Sequence, residues 1–358
     1  MNPYDFVRLV GNGPKREPFS LHEKFANLSG RIVCTLTART SIFVPQYRAG
    51  ASDRSRTHES LAMYRDEAGR PIIPGTSLKG MLRSVAEAAA NTCLSLPSRF
   101  SYERQTVEYE VPSAFRACEL IEDKNNVLYL CPTCRLFGML NRGKVFAGNV
   151  AVQDAVAQPG YQTKSFTLAI LSSPKPHHTS FYSKEPEKQK PPVRGRKFYY
   201  HRPKGARERR EKDGQNKTVE AVLKDAVFKF EVEYANISEA DLNLLLFALT
   251  LWDDTCHKVG MGKPIGLGSV KIEIKELIQL DRQARYKRLG AGWNEPLTST
   301  ALADFITLHV AAFRNNASPN LQDLHRILRW DENAPDVIDY PQKSWFVANP
   351  KVPLEGAP

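Results

Sequence analysis

No stretch of the 358-residue chain approaches 18 uninterrupted apolar residues, so no ordinary membrane-spanning helix is encoded and no membrane partner is expected. Cysteine is scarce, six in all, too few to staple a scaffold of this length with disulfides. The opening Met1-Asn2-Pro3-Tyr4-Asp5 lacks the charged start and apolar core of a secretory signal, and a cytoplasmic protein is expected. Acidic residues are in deficit. Thirty-nine Asp and Glu face 50 Lys and Arg, a net charge of +11 that points toward a polyanionic partner. What is present, 42% hydrophobic and 25% charged residues, is the composition of a folded globular protein and excludes wholesale disorder.

Most of the charge excess sits in one place. Between Phe181 and Lys217 the sequence holds 13 Lys or Arg against five Asp or Glu, with proline, glycine and little apolar periodicity. The stretch is read as loop or arm, about 158–217 in extent. Within it, Arg194-Gly195-Arg196-Lys197-Phe198-Tyr199 interleaves cations with aromatics. That pattern suits RNA, because Arg194, Arg196 and Lys197 can take phosphates while Tyr199 stacks on an unpaired base. The competing reading is a basic linker whose aromatics anchor it to its own core.

Arg31 to Ala38 alternates, placing Ile32, Cys34, Leu36 and Ala38 on one buried face of a strand. Pro45 to Ile73 is polar and reads as a long loop. Pro74-Gly75-Thr76-Ser77 then opens a helix whose apolar stripe is Leu78, Met81, Leu82, Val85, Ala86 and Ala89. Lys79 and Arg83 share another face near its N-terminus, where unpaired amides favour a phosphate, and Gly75 and Gly80 leave room for a backbone to approach. A second strand alternates over Ala226–Tyr234. Ser238 with Asp241 three residues on caps a second helix with the stripe Leu242, Leu245, Leu246 and Leu249, and a last strand runs from Leu267 to Lys275. Strand, helix, strands, helix, strand is the order of an α+β, ferredoxin-like sheet. Residues 1–281 are read as that core with its insertions. Residues 282–358 read as an appended helical extension and tail, with helices over Ser299–Phe313 and Asn320–Leu328.

Two motifs carry chemistry. Gly260-Met261-Gly262-Lys263-Pro264-Ile265-Gly266-Leu267-Gly268 packs four glycines around one lysine, so its backbone can approach a phosphate closely with Lys263 at hand. It lacks P-loop spacing and leads into a strand, which argues against nucleoside triphosphate binding. Cys131-Pro132-Thr133-Cys134, with Cys118 upstream, has the spacing of a zinc knuckle. Cys93 is the candidate fourth ligand, with His58 or another histidine as the fallback. A buried reduced pair is the plainer reading, and a redox pair lacks its usual strand–helix context.

Ile73-Pro74-Gly75-Thr76-Ser77-Leu78-Lys79-Gly80-Met81-Leu82-Arg83, Cys131 to Gly138, and the Gly260–Gly268 loop together resemble the RAMP superfamily, the RNA-binding subunits of type III CRISPR–Cas effector complexes. The resemblance covers roughly residues 30–280 and points to a backbone-type branch with long insertions. It implies a ferredoxin-like (RRM-like) core lying along CRISPR RNA beside other subunits of the complex, with a thumb hairpin drawn from Gln158–Lys217 interrupting the guide–target RNA duplex. It further implies that a subunit of this kind can cut target RNA with an aspartate in the loop after the first strand, aided by Mg²⁺. Asp53 is the candidate here, with His58 as a base or phosphate ligand. Three readings follow: a binding scaffold, the same subunit slicing target RNA, or a stand-alone CRISPR RNA-processing endonuclease that relies on histidine.

Overall fold

Alternation along the chain sets the central strands. In the computed structural model, Ile32, Cys34, Leu36 and Ala38 all fall on the sealed face of one long strand. The structure describes residues 1–19, 22, 27–46, 58–95, 99–102, 105–122, 124, 127–169, 178–209, 211, 212 and 214–357, with backbone alone at 99–102, 105 and 343. Asp53 lies outside the described residues. The elements that position the site are β1 (Tyr4–Val7), β2 (Leu28–Ala38), α1 (Gly75–Ala89), β3 (Val150–Val152), β4 (Ala155–Ala157), β5 (Arg196–Tyr199), β6 (Val227–Ile237), α2 (Glu239–Thr250), β7 (Ser269–Gln279), α3 (Ser299–Arg314) and α4 (Pro319–Leu328).

β7 pairs with β2, β2 with β6, and β6 with both β3 and β4, all antiparallel. Numbered by their place in the chain, these strands lie in the spatial order fourth, first, third, second. With α1 after the first strand and α2 after the third, this is the split βαβ arrangement of a ferredoxin-like sheet. Short strands at His257–Lys258 and Ile72–Ile73 extend its two edges. Ser238 caps α2 as the sequence predicts, its hydroxyl accepting from the Asp241 amide at 3.1 Å.

α2 is buried almost all round. Leu244, Phe247 and Ala248 are enclosed together with the predicted stripe of Leu242, Leu245, Leu246 and Leu249. The reason is a second helical layer. α3 packs across α2, stacking Phe313 on Phe247 at 4.9 Å between ring centroids, and Trp252 donates its indole N–H to the Arg314 carbonyl. α4 buries Leu321, Leu324, Ile327 and Leu328 in the same hydrophobic core. Its Asn320 side-chain amide donates to the carbonyls of Ala88 and Ala89 at 2.8 and 3.0 Å, satisfying groups that the end of α1 leaves without intrahelical partners. Asp323 takes a bidentate pair from Arg8 at 2.6 and 2.8 Å. Residues beyond 281 thus finish the core and tie the N-terminal segment to it.

The basic stretch differs from expectation. Arg196–Tyr199 is not free loop but β5, antiparallel to β1, with Tyr4 opposite Tyr199 and Val7 opposite Arg196. Its Tyr199 joins Tyr4, Phe6, Tyr182 and Tyr340 in a satellite cluster, while Phe198 packs against the main core. On either side of β5 in the chain, Thr163–Thr167 and Lys217–Val222 form an antiparallel pair, with Glu59–Leu61 added parallel to the latter. Part of the loop expected between Pro45 and Ile73 is therefore a strand edge.

Candidate nucleic-acid groove and cysteine centre

A groove of about 680 Å³ runs between the first half of α1 and the glycine-rich loop. α1 presents Ser77, Gly80 and Ser84 to it, a strip of small side chains flanked by Met81 and Val85; the loop presents Lys258, Met261 and Lys263; β5 presents Lys197. The glycines divide by task. A side chain at Gly75 would collide with the Val152 carbonyl, and the Gly75 amide donates to Asp154 at 2.7 Å, so this residue lets α1 start hard against the sheet rather than against a ligand. Gly80 has open space where a side chain would stand and is the position that keeps the groove clear. Gly268, at φ +77°, lies so close to the Val259 carbonyl that only glycine fits. The loop is a rigid wall built by close packing onto its own protein.

Two lysines in that wall are short of water. Lys258 donates to the carbonyls of Lys263 and Leu267 at 3.2 and 3.1 Å, and burial, helped by the nearby Lys263 charge, pushes its pKa down to about 7. Lys263 donates to the Gly260 carbonyl at 3.0 Å, and burial lowers it as well. Lys197, pushed down to about 8 by burial, holds its ammonium 3.6 Å from the centre of the Tyr4 ring. Cations short of water gain more from an arriving phosphate than hydrated ones do, because the phosphate restores what burial removed.

Of the residues singled out from the sequence, Lys197, Tyr199 and Lys263 line this groove. Arg194 and Arg196, expected to face solvent as phosphate ligands, do not. Arg194 pairs with Glu355 while largely covered, and Arg196 is buried, donating to the Thr92 carbonyl and to that of Cys93. Arg196 and the aromatics after it, Phe198 and Tyr199, pair with β1, and that pairing carries the Arg196 guanidinium inward. Arg83 donates to Glu87 at 2.7 Å and to the Gly138 carbonyl at 2.9 Å, so it serves the helix and the cysteine segment. Lys79 lines a separate cavity. His58 is held by Asn216 at 2.9 Å and Thr218 at 2.8 Å, away from the groove lining. The sequence reading missed Lys258. Its signal was a lysine directly before four glycines.

The cysteine centre assembles from three places. Cys93 follows α1, Cys118 follows a short 3-10 turn, and Cys131 and Cys134 sit at the start of the Pro132–Phe137 helix. All four are buried, and their sulfurs lie within 4.8 Å of one another. Cys93 Sγ is 3.6 Å from both Cys131 Sγ and Cys134 Sγ. Zinc–sulfur bonds of about 2.3 Å at tetrahedral angles would set sulfurs about 3.8 Å apart, so the donor set is compatible with a structural zinc. The Cys131 amide points at Cys118 Sγ at 3.5 Å, and hydrogen bonds from the neighbouring thiols hold Cys131 well below the usual thiol range. The surroundings fit the charge. Arg196 and Arg83 lie within electrostatic reach of the cysteines, and Arg196 Nε and Nη1 are buried with no hydrogen-bond partner among the described residues. Four thiolates around a divalent ion leave surplus negative charge for those groups to balance. Among the described residues no other group of three His, Cys, Asp or Glu is close enough to hold a metal.

The split βαβ sheet with helices packed against it defines a ferredoxin-like, RRM-like fold. The chain matches the RAMP superfamily over residues 10–271 and belongs to it, which carries a CRISPR-associated RNA-binding role. No curated protein matches the chain. No helix among the described residues is long and apolar enough to cross a membrane.

Proposed function

We propose that this protein is a CRISPR RNA-binding backbone subunit of a type III interference complex, holding guide RNA and its duplex with target RNA beside other subunits. The observation that carries the reading is the groove, where the small-residue face of α1 meets a glycine wall bearing Lys258 and Lys263, with Lys197 opposite. A backbone can lie deep against such a floor, and phosphates supply what the lysines lack. The Thr163–Thr167 and Lys217–Val222 pair is the base of the thumb hairpin in this reading, and Cys93, Cys118, Cys131 and Cys134 hold a structural zinc. Stand-alone processing by histidine finds less support. His201 and His257 are enclosed and hydrogen-bonded within the protein, and burial pushes their pKa values down to about 3 and about 4, so neither becomes the imidazolium a general acid needs near neutrality.

Lys263→Ala is expected to weaken binding of single-stranded RNA several-fold and to reduce the slope of log affinity against log salt by about 0.7, the loss of one phosphate contact. Fluorescence anisotropy over a salt series measures both. Unchanged affinity and slope would move the RNA away from the groove. If this subunit slices target RNA, Asp53→Ala in the assembled complex abolishes Mg²⁺-dependent cutting at its own site while guide binding persists. Cutting that survives the substitution removes Asp53 from that role.

A further inference from the structure

The family match ends at residue 271, and the segment directly after the last core strand builds a surface of its own. From Arg282 to Arg288 the chain carries Arg282, Arg285, Lys287 and Arg288 around Tyr286. Arg285, Lys287 and Arg288 make no side-chain ion pair or hydrogen bond among the described residues. Tyr286 is 87% exposed and Trp293 51%, unusual for rings this large with no covering element. The segment is nonetheless tied down. Leu280 bridges Trp293, Leu277 bridges Leu297, the Asp281 amide donates to the Gly292 carbonyl at 2.6 Å, and the Asp281 carboxylate caps the Ala284 amide at 3.0 Å. The Arg31 guanidinium sits 5.6 Å from the centre of the Trp293 ring and steadies one face of it.

These groups border a cavity of about 1130 Å³ that reaches back to the first turn of α1, where Lys79 is half-buried with no carboxylate partner among the described residues. Arg282 and Arg285 line the same cavity, and Glu233 is the carboxylate in its lining. A Trp293 ring steadied by Arg31 and an exposed Tyr286, beside Lys79 and Arg285, match a strand that offers both a base plane and a phosphate. The RNA-binding family to which the chain belongs and its net charge of +11 favour RNA as the occupant over a protein partner, whose interfaces also use Tyr, Trp and Arg.

We propose that Lys79, Arg285, Tyr286 and Trp293 form a second contact for single-stranded RNA, additional to the groove between α1 and the glycine-rich loop, with Tyr286 and Trp293 stacking on unpaired bases. The proposal rests on the RNA-binding reading of the fold and extends the RNA path to a segment outside the family match.

The test uses the full chain and a fluorescein-labelled oligouridine. Trp293→Leu and Tyr286→Leu should each weaken binding roughly five- to 100-fold with the salt slope unchanged, since stacking releases no ions. Trp293→Phe should restore most of the loss. Arg285→Ala with Lys287→Ala and Arg288→Ala should lower the salt slope by up to about 2. RNA should quench intrinsic tryptophan fluorescence in the parent chain and much less in Trp293→Phe. If Lys263→Ala weakens binding but the Trp293 and Tyr286 variants match the parent, the second contact is overturned and the groove stands. If the parent binds no RNA, both readings fall. If Trp293→Leu leaves RNA binding intact but changes oligomer size in solution, the surface is a contact between subunits and the proposal is overturned.

Discussion

A chain carrying Cys131→Ser and Cys134→Ser should bind no zinc and should melt far below the parent, which elemental analysis should show with one zinc per chain. Structural zinc contributes on the order of 10 kcal/mol of apparent binding free energy in small zinc peptides, and binding there is inseparable from folding. Here the centre holds together the end of α1, the Cys118 segment and the Pro132–Phe137 helix, and Leu130, Met139 and Phe146 pack around it in a core separate from the main one. Without the metal, two thiols and two hydroxyls in place of the charged centre would face Arg196, whose guanidinium already lacks partners at two nitrogens. The loss should therefore spread through Arg196 to the β1–β5 pair. Metal-free protein with an unchanged melting curve in the double variant would mean that the cysteines pack as reduced thiols.

Asp241→Ala should be the most damaging single substitution outside the cysteine centre. Arg135 donates to both carboxylate oxygens of Asp241, at 2.9 and 2.8 Å, and to the Leu130 carbonyl at 2.9 Å, with only 8% and 5% of the two side chains exposed. Removing Asp241 leaves Arg135 only Glu17, which lies 3.3 Å away and is 40% exposed, so a buried charge loses its nearest partner at a cost of about 3–5 kcal/mol. The pair also joins the helix that carries Cys134 to the first turn of α2, so cysteine segment and sheet should lose stability together. Replacing both residues, Asp241→Leu with Arg135→Met, should recover part of the loss, because no unpaired charge remains. Denaturant midpoints of the three variants measure this. Equal losses in the single and double variants would mean that packing volume, not the stranded charge, sets the cost.

Periodicity over ten or so residues made the core legible. The alternation of Ile32, Cys34, Leu36 and Ala38, the stripe from Leu78 to Ala89 and the Ser238 cap each report a local choice between one buried and one exposed side, which the chain makes wherever it sits. Cys-x-x-Cys spacing likewise reports a local geometry, and Cys93 was reachable because it follows a helix whose end was legible. The basic arm shows where such reading stops. Arg194-Gly195-Arg196-Lys197-Phe198-Tyr199 has the same composition whether it meets RNA or its own protein, and pairing with Tyr4–Val7 is a contact across some 190 residues that no local pattern encodes.

By itself the sequence determined the strand and helix order, the capped second helix, the cysteine spacing and the positive charge, because each depends on residue types at short separation. Tertiary structure alone decided which cations are available. Arg83, Arg194 and Arg196 were drawn into internal hydrogen bonds and ion pairs, while Lys258 and Lys263 were set into the groove wall. It also decided that α3 and α4 complete the core, hiding the outer face of α2 and capping α1 through Asn320. The physical reason is the same in each case. A cation's solvation and a helix face's burial are set by whatever is packed against them, and those neighbours come from distant parts of the chain.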